Sequence, residues 1–136
     1  MNSKYVYPAI FAEEEKGYSI NFPDVEGCFS QGENLEEALF MAEDALALML
    51  HEYELDGKAI PKPSKLKDLK VKEGEFVNFI RCDTMEYRKK FSKKAVKKTL
   101  TIPEWLNKEA TKLGVNFSQV LQEALRKVVE SEARKD

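Results

Sequence analysis

Val96-Lys97-Lys98-Thr99-Leu100-Thr101-Ile102 runs directly into Pro103-Glu104-Trp105-Leu106, and two short helical patterns separated by Gly114 follow. In an extended strand Leu100 and Ile102 face one way and Lys97, Thr99 and Thr101 the other, because strand side chains alternate with a period of two. The polar face then carries only side chains able to hydrogen-bond a base edge or a phosphate, so strand plus two helices outlines a DNA-reading arm. Pro103 stands where the first helix should begin, since its missing N–H costs nothing there and its fixed φ suits the first turn. Leu106, Ala110 and Leu113 recur at helical spacing, and Gly114 ends that helix. Ser118 is placed as the N-cap of the second helix, whose Val120, Leu121, Ala124, Leu125, Val128 and Val129 form a broad apolar stripe.

A unit of roughly forty residues excludes too little water to hold a core alone. Its strand also leaves unpaired backbone groups that a second copy can pair with, so the pattern reads as half of an intertwined homodimer. From about Ala95 to about Glu132 the chain resembles the ribbon-helix-helix family of transcriptional repressors, in which strands from two subunits form an antiparallel ribbon in the major groove. The resemblance implies base reading by Lys97, Thr99 and Thr101. It implies a phosphate grip at Asn116, Phe117 and Ser118, where a helix N-terminus turns free N–H groups and its dipole toward an anion. Lys98 departs from the pattern by standing at an inward position that the family usually fills with an aliphatic residue; its stem would have to snorkel to the ribbon edge. The plainer alternative is an ordinary exposed strand followed by an ordinary helix cap.

Charge divides along the chain. Through Pro61 there are thirteen acidic and three basic side chains, and the remainder has eleven acidic and nineteen basic, so a net charge of −2 conceals opposite halves. Between Arg88 and Lys98 lie seven basic residues and no acidic one, the footprint expected beside a phosphate backbone. Lys93 and Lys94 in this run are expected phosphate contacts, and residues 86–95 read as a basic linker between a domain at 1–85 and the β-α-α domain at 96–136.

At 136 residues and 43% hydrophobic composition the chain fits two small domains. Its most apolar run, Ala45 to Leu50, is too short to span a membrane, and the N-terminus lacks the succession of a signal peptide, so a cytoplasmic protein is expected. Cys28 and Cys82 belong to no paired motif, which suggests reduced, partly buried thiols and neither zinc nor redox chemistry.

In the first domain, Tyr5 to Phe11 and Tyr18 to Phe22 read as a hairpin over the polar Glu13–Gly17 turn. Pro23 to Gly27 is a second turn, and Cys28 to Gly32 a short third strand. Asn34 caps a long helix with Glu37 in the capping-box position. Leu35, Ala38, Leu39, Ala42, Leu46, Met49, Leu50 and Tyr53 should cover the sheet, Asp56-Gly57 ends the helix, Pro61 and Pro63 stiffen the connection, and Glu75 to Cys82 is a last strand. The expected class is α+β: a small antiparallel sheet with a covering helix, then the β-α-α unit.

The succession Tyr7-Pro8-Ala9-Ile10-Phe11, Gly17-Tyr18, Phe22-Pro23-Asp24-Val25-Glu26-Gly27-Cys28-Phe29-Ser30-Gln31-Gly32 and Leu35-Glu36-Glu37-Ala38 is similar to the HicB antitoxin family. That family joins a degenerate, partial ribonuclease H-like domain to a DNA-binding domain. The resemblance implies an antitoxin whose first domain masks HicA, a small basic mRNA-cutting toxin, and whose second represses their shared operon by binding operator DNA.

Ribonuclease H-type nucleases converge several carboxylates on two magnesium ions. Here the strand from Tyr5 to Phe11 carries no acid, and Glu13, Glu14, Glu15, Asp24, Glu43 and Asp44 are dispersed, so neither a catalytic nor a metal-binding set can be named, and no cofactor is implied. His51 has no nucleophile or metal ligand near it in sequence and reads as a helix-surface residue, while Trp105 reads as packing in the dimer. An acidic surface would steer and mask a basic RNA-cutting partner. Glu13, Glu14, Glu15, Phe22, Asp24 and Phe29 are the candidate contacts, with apolar anchors expected to supply most of the energy. Two other readings remain: a stand-alone repressor whose first domain senses a small molecule, and a nuclease.

Overall fold

The computed structural model describes residues 2–91 and 95–133 and divides into two compact units, Ser3–Lys93 and Lys94–Asp136, the latter grouped with Met1–Asn2. The first contains β1 (Lys4–Glu14), β2 (Gly17–Asn21), β3 (Phe29–Gly32), α1 (Leu35–Asp56), a 3-10 turn (Leu66–Asp68), β4 (Glu75–Asp83) and α2 (Thr84–Phe91). Its four strands are antiparallel throughout, in the order β3-β2-β1-β4, with the long β1 paired on both sides. The hairpin is longer than expected, because Glu13 and Glu14 belong to β1 and only Glu15 and Lys16 make the turn.

Alternation on the strands decides which residues face α1. Tyr7, Ala9, Phe11, Ile20, Ile80 and Cys82 join Ala38, Ala42, Leu46 and Leu50 in one buried cluster. The helix face is narrower than its apolar sequence positions suggest: Leu35 and Leu39 are exposed, and Ala47 is buried instead. Small residues let α1 lie close to the sheet. Gly32 shows how close, since a Cβ there would come within 2.4 Å of the Ala38 backbone nitrogen. Asn34 caps α1 as expected, its Oδ1 accepting from the Glu37 N–H at 2.8 Å, and left-handed Gly57 closes the other end.

The turn after β2 is a packed loop. Phe22 N–H donates to the Cys28 carbonyl, and Val25 and Cys28 N–H groups donate within the loop, which tucks Phe22, Val25 and Cys28 into the core. Residues 86–91, expected in a basic linker, form most of α2. Helix formation wins because Asp83 accepts from the Met85 N–H and the buried Thr84 ties the first turn down.

The second unit contains α3 (Glu104–Lys112) and α4 (Phe117–Ala133). Pro103 is the N-cap of α3 rather than its first residue, and Gly114, at φ 69°, follows its end. The expected strand over residues 96–102 is not formed. A strand exists by its ladder, and one chain supplies no partner for this segment. The N-cap of α4 is Asn116 rather than Ser118: its Oδ1 accepts from the Gln119 N–H at 3.0 Å, while the Ser118 hydroxyl accepts from Gln122 Nε2.

Candidate DNA-facing and partner-facing surfaces

The second unit buries almost nothing by itself. Among described residues from 95 to 132, Ala110, Val115, Leu121 and Glu130 are half-buried and all others exposed. Trp105 is 67% exposed and Leu113 81%, with Leu106, Val120, Leu125 and Val128 also open. These are the positions that helical periodicity marks as a core. Dispersed single apolar residues on a surface need no explanation, but a whole amphipathic stripe left open does.

Lys97, Thr99 and Thr101 are exposed on the extended segment preceding α3. The first turn of α4 brings Asn116, Phe117 and Ser118 together, with Phe117 partly open. Because Asn116 satisfies the Gln119 N–H, the remaining first-turn donors are the ones an anion would find. Lys93 and Lys94 lie outside the described residues.

In the first unit the proposed partner contacts are not brought into one patch. Glu13, Glu14 and Glu15 are exposed at the β1–β2 turn, where Glu14 accepts from the Ser19 hydroxyl at 2.9 Å. Phe29 is 67% exposed, but it pairs with Asn21 at the opposite end of β2. Phe22 is 1% exposed and belongs to the core, so it presents no surface to a partner. Asp24 is half-buried and accepts from both the backbone N–H and the hydroxyl of Ser64, which staples the segment after α1 to the loop after β2. The Pro-Asp spacing marks a turn; it holds no sign of a bond to a residue forty positions away.

Sequence reasoning missed the surface that α2 creates. A groove of about 540 Å³ lies between α1 and α2, with Ala47, Cys82 and Tyr87 below and Phe40, Asp44 and Glu86 at its margins. Behind it Glu54 joins three elements: its Oε2 accepts from the Tyr5 hydroxyl at 2.8 Å and from Thr84 Oγ1 at 2.9 Å, and its Oε1 lies 3.4 Å from Arg88. Burial and the Glu54 carboxylate raise the Tyr5 pKa, keeping that hydroxyl a donor. His51 departs from the helix-surface reading: it packs against Tyr87 with ring centroids 5.5 Å apart, and its buried Nδ1 has no hydrogen-bond partner. The only signal for this was the helical content of 84–91, obscured by its charge.

Burial pushes the Cys28 thiol up to about 11 and Cys82 to about 12, with nearby carboxylates adding to the latter, so both remain neutral. Among the described residues no group of three or more His, Cys, Asp or Glu side chains is placed to hold a metal ion. No described helix is long and apolar enough to cross a membrane.

A family model described as a HicB-like antitoxin of a bacterial toxin–antitoxin system matches residues 7–130, across both units. Antitoxin HicB 2 of Photorhabdus laumondii is 39% identical over 64 residues, which cover 47% of this chain and 46% of that protein. Antitoxin HicB 1 of the same organism is 46% identical over 50 residues, 37% of this chain and 32% of that one. The chain thus spans about half the length, or less, of these curated relatives. Among solved structures, a chain of a toxin–antitoxin complex from Streptococcus pneumoniae superposes with a TM-score of 0.61 at 29% identity, covering 91% of this chain and 98% of that one. A crystal structure of antitoxin HicB3 does so with a TM-score of 0.51 at 28% identity, covering 92% and 98%. Loop-buried Phe22 and Cys28, the Gly32–Ala38 contact and the helical pair after Pro103 all lie within the matched span, and the chain belongs to the HicB-like antitoxin family.

Proposed function

We propose that this protein is the antitoxin and autorepressor of a HicA-type toxin. The first unit binds and masks the toxin; the second dimerises through the strand around Leu100 and binds operator DNA. On this reading the first unit is the degenerate ribonuclease H-like domain and the second a ribbon-helix-helix domain. The supporting observation is the open apolar stripe of α3 and α4 together with the unpaired segment 96–102, which a second copy would cover and pair at once. The resulting ribbon sets Lys97, Thr99 and Thr101 on its outer face, and the Asn116 end of α4 supplies backbone donors to phosphate. The S. pneumoniae chain's presence in a toxin–antitoxin complex and the acidic first sixty-one residues support a basic protein partner.

The test is co-purification from the native host, with intact-mass measurement of whatever stays bound through moderate salt. A small basic protein in stoichiometric amount, toxic when expressed alone and silent when co-expressed, is expected. Recovery of the chain alone, from cells expressing the neighbouring gene, would remove the antitoxin reading. The α1–α2 groove favours one second reading, a repressor that senses a small molecule. Operator release by a metabolite extract freed of protein would select it.

A further inference from the structure

β4 forms one edge of the sheet, and its outer side is long for an unprotected edge. Which of its backbone groups point outward follows from the register. Thr84 N–H bonds to the Ser3 carbonyl and Glu13 N–H to the Gly74 carbonyl, so even-numbered β4 residues exchange hydrogen bonds with β1. The N–H and C=O groups of Val77, Phe79 and Arg81 therefore point away from the sheet. On the face turned away from α1, Phe79 is 55% exposed and lies opposite Pro8, beside Val6 at 53%. That edge and that face are both unpartnered in a single chain.

We propose that a second copy of this chain pairs antiparallel with β4 across a two-fold axis at Asn78, joining two sheets into one. Arg81 is the only cation of β4, and a cation on an edge ordinarily guards against pairing. In this register it meets Glu75 of the second copy, and by symmetry Glu75 meets Arg81. Val77 and Phe79 then face each other as hydrogen-bonded pairs, extending the apolar face of Val6 and Pro8, and Phe76 meets Ile80 on the other face. Shifting the axis to Phe79 sets Glu75 against Asp83 and Val77 against Arg81, which pairs like charges and strands the cation. Charge thus selects one register, and the occupant is self-complementary as a two-fold contact requires. The lone cost is at the rim, where the Glu75 N–H already donates to the Lys72 carbonyl.

The full chain tests this by sedimentation across a wide concentration range. If the C-terminal units also dimerise, β4 pairing takes the protein from dimer to tetramer, and Arg81→Glu lowers that association by at least about tenfold, since opposite charges become like ones. The double reversal Glu75→Arg with Arg81→Glu restores it, which a merely destabilised fold would not do. Hydrogen exchange should show protection of the Val77, Phe79 and Arg81 amides that rises with concentration. If the C-terminal reading is wrong and this one right, the wild type stops at a dimer and Arg81→Glu is a monomer. Assembly unchanged by Arg81→Glu, or amide protection that appears only on binding a different protein, overturns the proposal.

Discussion

Replacing Gly32 by alanine tests the closest approach in the first unit. The added Cβ would stand 2.4 Å from the Ala38 nitrogen, 2.6 Å from its Cα and 2.9 Å from the Glu37 carbonyl carbon, where ordinary contact begins at 3.4 Å. The first turn of α1 must therefore retreat by about 1 Å, because backbone atoms cannot rotate away, and overpacking of this kind costs ~1–3 kcal/mol. Retreat also pulls the Glu37 N–H off Asn34 Oδ1, and losing an N-cap adds ~1 kcal/mol. A total of about 3 kcal/mol is expected. The two units can be followed separately: all five tyrosines lie in the first and the single tryptophan, Trp105, in the second. Urea unfolding of the full chain by near-ultraviolet tyrosine dichroism should show a large downward shift of midpoint, while Trp105 fluorescence stays near its wild-type curve. Gly27→Ala is the control, for no atom lies within 4 Å of its added Cβ and only the strain of φ 76° remains, about 1 kcal/mol. A Gly32→Ala loss no greater than that of Gly27→Ala would refute the packing argument.

Thr99→Ala or Thr101→Ala should weaken operator binding by about 1–3 kcal/mol while sparing random DNA, measured by titration on both; equal losses would remove these residues from base reading. Asn116→Ala should lower the stability of the second unit by about 1 kcal/mol in the Trp105-monitored unfolding curve, and Ser118→Ala by clearly less. The reverse order would return the cap to Ser118. Cys28 and Cys82 should resist a thiol reagent at neutral pH until urea unfolds the first unit, and prompt native labelling would contradict their burial. Their folded pKa values lie above the unfolded one, so the unfolded chain loses protons first. Stability should hold below the ordinary thiol range and fall as pH rises through it toward about 11 and 12, with Tyr5 and Tyr7 acting in the same direction, and a melting temperature constant from pH 8.5 to 11 would contradict this.

Local signals were legible where a single physical cause acts on neighbouring residues. Asn34 and Gly57 bound α1 because capping is a matter of a few backbone donors and one left-handed residue. The strands at Tyr5–Phe11, Tyr18–Phe22 and Glu75–Cys82 were visible from β-branched and aromatic runs between turns. Two opposing signals competed at 84–91, where a dense basic run suggested solvent, yet Tyr87 packs on His51 and Thr84 is buried. At the start of α4, Asn116 and Ser118 both qualify as caps by type, and only the direction of the chain after Gly114 selects Asn116.

The sequence by itself determined the order of elements, the separation of acidic and basic halves, and the family resemblance, because spacing, composition and short motifs survive without coordinates. Tertiary structure alone decided that Phe22 is core while Phe29 is open, that Asp24 is spent on Ser64, and that a groove opens between α1 and α2. Each of those depends on contacts between residues distant along the chain, which periodicity does not record. The strand at 96–102 marks the limit from the other side: its pattern is written in one chain, but its hydrogen bonds require a second.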